Sequence, residues 1–323
     1  MATLSNFCRQ SLSSDTELEA IADLYNLCAT VDELDGGTSA SELQEDFNDP
    51  CFDRDQDLQV WRDRDETLQA VATLWRPISA NNREGYLHFF VHPDARGQGL
   101  ENDILAWAEQ RLRLLSTEPS QAVELRMGCR DTFVERIAQY EQFGCSPVRY
   151  FFRMRRSLIE PVPEPQLPDG FYIRQVDPEV DAEAWVEMFN QSFIDHWNHH
   201  PMTLEEYRYY TSMSNYDASM DFVAVSPDGT LAAFCYAQID MQENARSGQQ
   251  EGWINLLGTR RGFRRQGLGR AMLLAGLHRL VAAGMNSALL GVDVDNPNGA
   301  LGLYRSAGFE EFRRFITFHK RVC

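Results

Sequence analysis

The stretch Leu256-Leu257-Gly258-Thr259-Arg260-Arg261-Gly262-Phe263-Arg264-Arg265-Gln266-Gly267-Leu268-Gly269-Arg270 concentrates residue types that can hold a polyanion. From 258 to 270 it has five arginines and no carboxylate, in a chain of formal charge −18. An apolar strand runs into a basic loop, and the loop into a glycine-rich helix start. The first turn of a helix leaves backbone N–H groups unpaired at the positive end of the macrodipole, so it binds phosphate wherever side chains leave room. Gly267 and Gly269 leave that room. A dinucleotide-binding G-x-G-x-x-G is the competing pattern. Met272 stands at its third glycine, however, and a long arginine loop replaces its tight turn. A solvated basic loop with chance glycines is the bland alternative.

Arg264-Arg265-Gln266-Gly267-Leu268-Gly269 matches the Arg/Gln-x-x-Gly-x-Gly/Ala signature of acetyl-CoA binding. Farther on, Asn296, Ala300, Leu303-Tyr304 and Gly308-Phe309 match a second signature in the same order. On these two motifs the sequence resembles the GCN5-related N-acetyltransferases, and its tandem arrangement is similar to that of double-domain members of the mycothiol synthase type. The resemblance implies acetyl-CoA as co-substrate, with no metal. It places the diphosphate on Arg264, Arg265, Gln266, Gly267, Leu268, Gly269 and Arg270, the pantetheine amides on Leu257, Gly258 and Thr259, and a further contact on Asn296 or Asn298. It also implies direct attack by a primary amine on the thioester, with Tyr304 as general acid toward the departing thiolate. A proton donor there is worth about 10²–10⁴ in rate. An amine acceptor is mostly protonated at neutral pH and needs a base or a water path. Glu251 is the candidate base and Asn255 the candidate water-orienting group, with Asp240, Glu243 and Asp293 as further carboxylates. The acceptor is a small-molecule or peptide amine. A noncatalytic CoA-binding sensor is the alternative, and a nucleotide-dependent oxidoreductase is more distant.

The elements that must position these residues recur twice. HPDARGQGL (92–100) answers RRGFRRQGL (260–268), and Tyr140-Glu-Gln-Phe-Gly144 answers Tyr304-Arg-Ser-Ala-Gly308. Between the copies, 158–169 holds Pro161, Pro163, Pro165 and Pro168, the composition of a semi-rigid connector. The expected domains are therefore 1–157, a linker at 158–169, and 170–323. In the second copy the patterning predicts a strand at 171–176 and helices near 179–192 and 203–213. Strands follow near 221–226, 230–241 and 252–259, then a helix from Gly267 to about Ala283 ending at Gly284. A strand at 287–294, a short helix through Ala300 and Tyr304, and a strand near 312–319 complete it. The implied fold is α/β, two tandem domains, each a mostly antiparallel mixed sheet with one parallel crossover and covering helices.

The first copy keeps Arg96-Gly97-Gln98-Gly99-Leu100 but puts Glu101 where the last glycine belongs, with Asp103 following. Carboxylates there suit the macrodipole and repel a diphosphate, so this copy is expected to be noncatalytic, a scaffold or acceptor-site wall. In Asp195-His196-Trp197-Asn198-His199-His200-Pro201, three histidines suggest a metal, but no cysteine or second cluster completes a tetrahedral set. Contacts to an acceptor, or a plain loop, suit it better. With 323 residues, 43% of them hydrophobic, the chain can bury two cores. Its acidity disfavours a nonspecific grip on nucleic acid or an anionic membrane. Seven scattered cysteines without a C-x-x-C pair read as reduced thiols, and the N-terminal sequence has no signal-peptide pattern, so a cytoplasmic location is expected.

Overall fold

The computed structural model describes residues 7–322 except Ser13, Asp35, Cys51, 78–83 and 116–121. Of the cysteines, Cys51 and Cys323 lie outside the described residues, and Cys8, Cys28, Cys129, Cys145 and Cys235 are free thiols. The chain divides into two compact units, one of Met1–Arg149 with Phe315–Cys323 and the other of Tyr150–Arg314.

The first unit contains β1 (Cys8–Ser11), α1 (Leu18–Val31), α2 (Ala40–Phe47), α3 (Arg54–Asp57), β2 (Leu58–Arg62), β3 (Leu68–Trp75) and β4 (Glu84–Val91). It continues with α4 (Leu100–Leu115), β5 (Glu124–Arg130) and α5 (Val134–Gln142), after which β6 (Ser146–Ser157) begins. Strands β1 to β4 pair antiparallel in sequence order, and β4 pairs parallel with β5. The face of α4 carrying Ile104, Leu105, Ala108 and Leu112 is wholly buried, as its 3.6-residue spacing requires.

The second unit repeats the plan with β7 (Tyr172–Gln175), α6 (Ala182–Phe193), α7 (Leu204–Ser212), β8 (Asp221–Val225) and β9 (Leu231–Gln238). Then come α8 (Met241–Ser247), β10 (Glu251–Thr259), α9 (Leu268–Ala282), β11 (Ser287–Asp293), α10 (Ala300–Ser306) and β12 (Glu310–Arg321). Strands β7 to β10 are antiparallel neighbours and β10 pairs parallel with β11. The fold class is thus the one the sequence implied, a mixed sheet of the same topology in each half.

The boundaries differ from the proline-rich seam. Residues 150–157 of β6 belong to the second unit, where the strand pairs antiparallel with β11 from Ser157↔Ser287 to Phe151↔Asp293. Residues 315–321 of β12 belong to the first, pairing with β5 from Phe315↔Arg130 to Arg321↔Glu124. Each sheet therefore takes its last strand from the segment that follows the other copy's final helix. An unpaired row of N–H and C=O groups on β5 or β11 must find a strand, and the strand that meets this need need not be the nearest in sequence. The proline segment is laid on the second unit: Arg156 Nη2 donates to Pro161 O at 3.2 Å, and Val162 and Leu167 pack on its core.

Helix α9 has apolar residues on almost every side, because it lies under the sheet with Leu268, Met272, Leu273, Leu277 and Leu280 buried. Its Gly276 permits the close approach. A Cβ there would stand 2.6 Å from Cys235 Sγ on β9 and 3.0 Å from Ile254 Cδ1 on β10. Gly276→Ala should therefore destabilise the second unit by about 1–3 kcal/mol, seen as a lower urea midpoint for that unit's transition. An unchanged midpoint would show that α9 rides farther from the sheet.

Candidate functional site

Parallel strands β10 and β11 pair only over Glu251–Trp253 with Ser287–Leu289. Among the described residues the ladder goes no farther, and the strands part toward their C-terminal ends. A cavity of about 780 Å³ opens there in the second unit. Its walls include Leu257, Gly258, Thr259, Arg264, Arg265, Gly267, Leu268, Gly269, Arg270, Asn296 and Tyr304. The two sequence motifs, about 30 residues apart in the chain, are thus brought to one place. Gln266 is exposed and is not part of the wall.

The amide loop at the start of α9 is open. Gly267 is the N-cap, with φ +87°, and it supplies no capping side chain to the helix. A Cβ at Gly269 would meet Thr259 Oγ1 at 3.4 Å and Leu303 Cδ2 at 3.6 Å, ordinary contacts. Arg265 sits in the left-handed region at φ +65°, which costs a residue with a Cβ about 1–2 kcal/mol. Strain of this kind collects at ligand loops. Its counterpart in the first unit is Gly97, at φ +71°, where the conformation is free.

Arg264 has a different task from its neighbours. Its Nε donates to Thr259 O at 3.3 Å and its Nη2 to Ser192 O at 2.8 Å. Its Nη1 donates to Asp195 Oδ2 at 2.5 Å and to Asn298 Oδ1 at 3.1 Å. The guanidinium is a brace tying the loop to the end of α6 and to the turn before α10. Asp195 is held below the usual carboxylate range chiefly by its hydrogen bond from Arg264. Arg270 donates from Nη1 to Ser306 Oγ at 2.9 Å, linking α9 to α10. Asn296 Oδ1 accepts from Asn298 N at 2.9 Å, so both asparagines shape the turn and both line the cavity.

Tyr304 is 8% exposed and lines the same cavity. Burial pushes its phenol above the ordinary range, with Cys235 adding to the shift, so it carries its proton throughout the neutral region. Its counterpart Tyr140 is 1% exposed, gives its hydroxyl to Gly128 O at 3.4 Å and is pushed up to about 12, mainly by burial. The first is a phenol on a cavity and the second a phenol in a core.

Neither Glu251 nor Asn255 reaches the cavity wall. Glu251 begins β10, where Oε1 accepts from Arg155 Nη2 at 2.9 Å, and seven residues of strand separate it from Thr259. Asp240 caps α8, accepting from Glu243 N at 2.7 Å, and Glu243 pairs with Arg246. Asn255 is the residue skipped where the β9–β10 register shifts between Ile254 and Leu256. This bulge turns it out of the ladder. The matching strands of the first unit pair without a shift from Ala70↔Val91 to Trp75↔Tyr86. Among the described residues no three metal-binding side chains converge. Of the histidine run, His196 lines the cavity, with Nδ1 2.9 Å from Trp197 O.

The sequence did not single out a polar group beside the bulge. Asp221 opens β8, is wholly buried, and faces Tyr236 across the strand pair; Tyr236 in turn pairs with Leu256, next to Asn255. Tyr216 donates to Asp221 Oδ2 at 3.0 Å, and the ring of Tyr236 stacks 5.3 Å from that of Tyr216. An acidic residue at a strand start reads as surface, and only the tyrosines of α7 and the following turn hint otherwise.

In the first unit, Glu101 is 3% exposed and its Oε1 accepts from Gly97 N at 3.2 Å. The loop that corresponds to the open nest is filled by its own carboxylate. Arg96 keeps the brace, donating to Val91 O at 3.1 Å and bidentately to Asp32 at 2.7 and 2.9 Å.

The acetyltransferase (GNAT) family model matches residues 182–309. A mycothiol acetyltransferase of Thermobispora bispora is 34% identical over 230 residues, 71% of this chain and 74% of its own length. Another, of Frankia alni, is 29% identical over 93% of this chain and 91% of its own. The crystal structure of a GCN5-related N-acetyltransferase from Sphaerobacter thermophilus superposes with a TM-score of 0.77 at 25% identity, covering 99% of this chain and 96% of that one.

Burial lifts Asp221 to about 7, with Asp181 adding and the Tyr216 hydrogen bond opposing. The native state thus favours the proton more than the unfolded chain does. That contribution to stability is complete below about pH 4 and is lost as pH rises through 7. Asp221→Asn should remove this part of the fall in melting temperature between pH 4 and 7. A fall identical to that of the parent would show that Asp221 does not titrate in this window.

Proposed function

Because the chain belongs to the GNAT family of acetyltransferases, we propose that it transfers an acetyl group from acetyl-CoA to a primary amine, with the chemistry in the second unit. One observation carries the reading: the open amide nest of α9 and the protonated phenol of Tyr304 line a single cavity. The residues suit the co-substrate. Free N–H groups and the dipole of α9 receive the diphosphate, and Arg265 adds a fork of donors. Gly258 lets the strand and its neighbours close up, since a Cβ there would strike Phe234 at 2.4 Å. On the edge that β11 leaves, the backbone of Leu257 to Thr259 lines the cavity and is offered to the pantetheine amides.

Bound acetyl-CoA supplies an activated thioester carbonyl. The amine nitrogen forms a bond to that carbon and the carbon–sulfur bond breaks. Tyr304 gives its proton to the leaving sulfur, the excess proton on nitrogen passes to solvent, and solvent returns a proton to the Tyr304 phenolate. Among the described residues no carboxylate lines the cavity and Asn255 lies off its wall, so water carries the amine's proton away. Holding both reactants in one cleft provides the larger entropic share of the acceleration. The acceptor is a small amine, and the mycothiol acetyltransferases named above make thiol-bearing amines the first to try. The first unit, with Glu101 in its nest, is a scaffold toward acetyl-CoA.

Tyr304→Phe should lower kcat about 10²-fold and leave CoA affinity within a factor of two, measured by thioester consumption over an amine panel and by calorimetry. An unchanged kcat would remove the phenol from the reaction, and CoA binding without transfer to any amine would make the protein a CoA sensor. Gly269→Glu, which copies Glu101, should weaken CoA at least 100-fold while the melting temperature holds. Retained affinity would contradict the diphosphate cradle.

A further inference from the structure

The first unit contains a cavity that acetyl transfer does not use. It measures about 330 Å³ and lies between α1, α2 and the β3–β4 hairpin, apart from the Glu101-filled loop. Aromatic rings make up its walls: Tyr25 and Phe90 meet at 4.0 Å between centroids on one side, with Phe47 and Trp75 on the other. Phe52 braces that second wall, stacked 4.4 Å from Trp75 and 5.6 Å from Phe47. Two titratable side chains, Asp46 and His88, complete the lining.

The electrostatics are one-sided. Asp46, on α2 and partly open to solvent, makes no ion pair among the described residues; its charged neighbours are Glu42, Glu45 and Asp49, from α2 and the turn after it, and the Tyr25 phenol lies within reach of its charge. His88, on β4, lines the cavity with much of its surface open to solvent, and partial desolvation holds it below its usual range. Carboxylate, imidazole and phenol all offer acceptors. Aromatic faces attract an organic cation and shed the water that a small hard ion would keep. Three or more oxygen or nitrogen ligands, which a metal would require, do not converge here among the described residues.

We propose that this cavity is a second small-molecule site, which binds a primary organic ammonium ion with its cationic head at Asp46 and its apolar body among Tyr25, Phe47, Trp75 and Phe90. The site needs no acetyl donor, so it stands apart from the transfer chemistry of the second unit. It makes the first unit a binding module rather than a vestige. Asp46 is pushed up to about 6, first by desolvation and then by its three acidic neighbours. A bound cation reverses that shift. Affinity is therefore greatest above about pH 6. It falls as Asp46, and at lower pH His88, takes up a proton; Tyr25, raised by burial and by Asp46, stays neutral throughout.

The test is calorimetry on the full chain without acetyl-CoA, titrating 2-phenylethylammonium and, separately, its neutral analogue 2-phenylethanol. The ammonium should bind at least tenfold more tightly than the alcohol. Asp46→Asn should weaken it at least tenfold, and so should Thr73→Leu, which fills the cavity from β3. Both variants should keep the parent's CoA affinity, which shows the fold intact and separates this result from any failure of the acetyl-transfer reading. Equal binding of ammonium and alcohol, wild-type affinity in Asp46→Asn, or no heat at millimolar ammonium would overturn the assignment.

Discussion

The structure of the second unit depends on a few backbone N–H groups at the start of α9 that nothing among the described residues consumes. Leaving such donors open is costly unless solvent or a ligand meets them, and the loop is built to keep them so. Gly267 caps the helix without a side chain, and Gly269 puts no atom over the approach. Arg264 spends its guanidinium on Thr259, Ser192, Asp195 and Asn298, so the loop is held from outside instead of by groups within it. Arg265 bears backbone strain that its counterpart Gly97 avoids. A loop that tolerates that strain retains a cation at the mouth of the nest.

The first unit shows what happens when one position changes on the same frame. The brace survives in Arg96, the left-handed residues survive at Gly97 and Gly99, and the helix still buries one face. Glu101 alone turns the nest inward on itself. The loss of the bulge in β4 and the retreat of Tyr140 into the core follow the same direction. With the donor site closed, what remains on the other face of this sheet is an aromatic cavity with the Asp46 carboxylate in its lining.

Much of this was readable from residue types. The helix start at Gly267, the strand into it and the stop at Gly284 follow from glycine and apolar spacing, and the duplicated motifs showed two copies. Three things were hidden. The exchange of β6 and β12 between units was invisible because a strand's alternation records which face is buried and not which edge it joins. Helix α8, only seven residues long, went unread in the connection between the strands expected near 230–241 and 252–259, because its signals are a cap at Asp240 and a left-handed Gly248 at its end. Arg264 looked like a phosphate ligand because the motif counts its charge, while the carbonyls and carboxylate that bind it come from 34 to 72 residues away or from the strand before it. Likewise Glu251 is the right residue type on the right strand, but its place at the far end of β10 and its partner Arg155 remove it from the cavity.

The most direct test is a crystal structure of the full chain grown with acetyl-CoA. The account predicts one molecule per chain, its diphosphate on the amides between Arg265 and Arg270 and its thioester sulfur within hydrogen-bond reach of the Tyr304 hydroxyl. Diphosphate density at Gly97–Glu101, or none at residues 265–270, would contradict it.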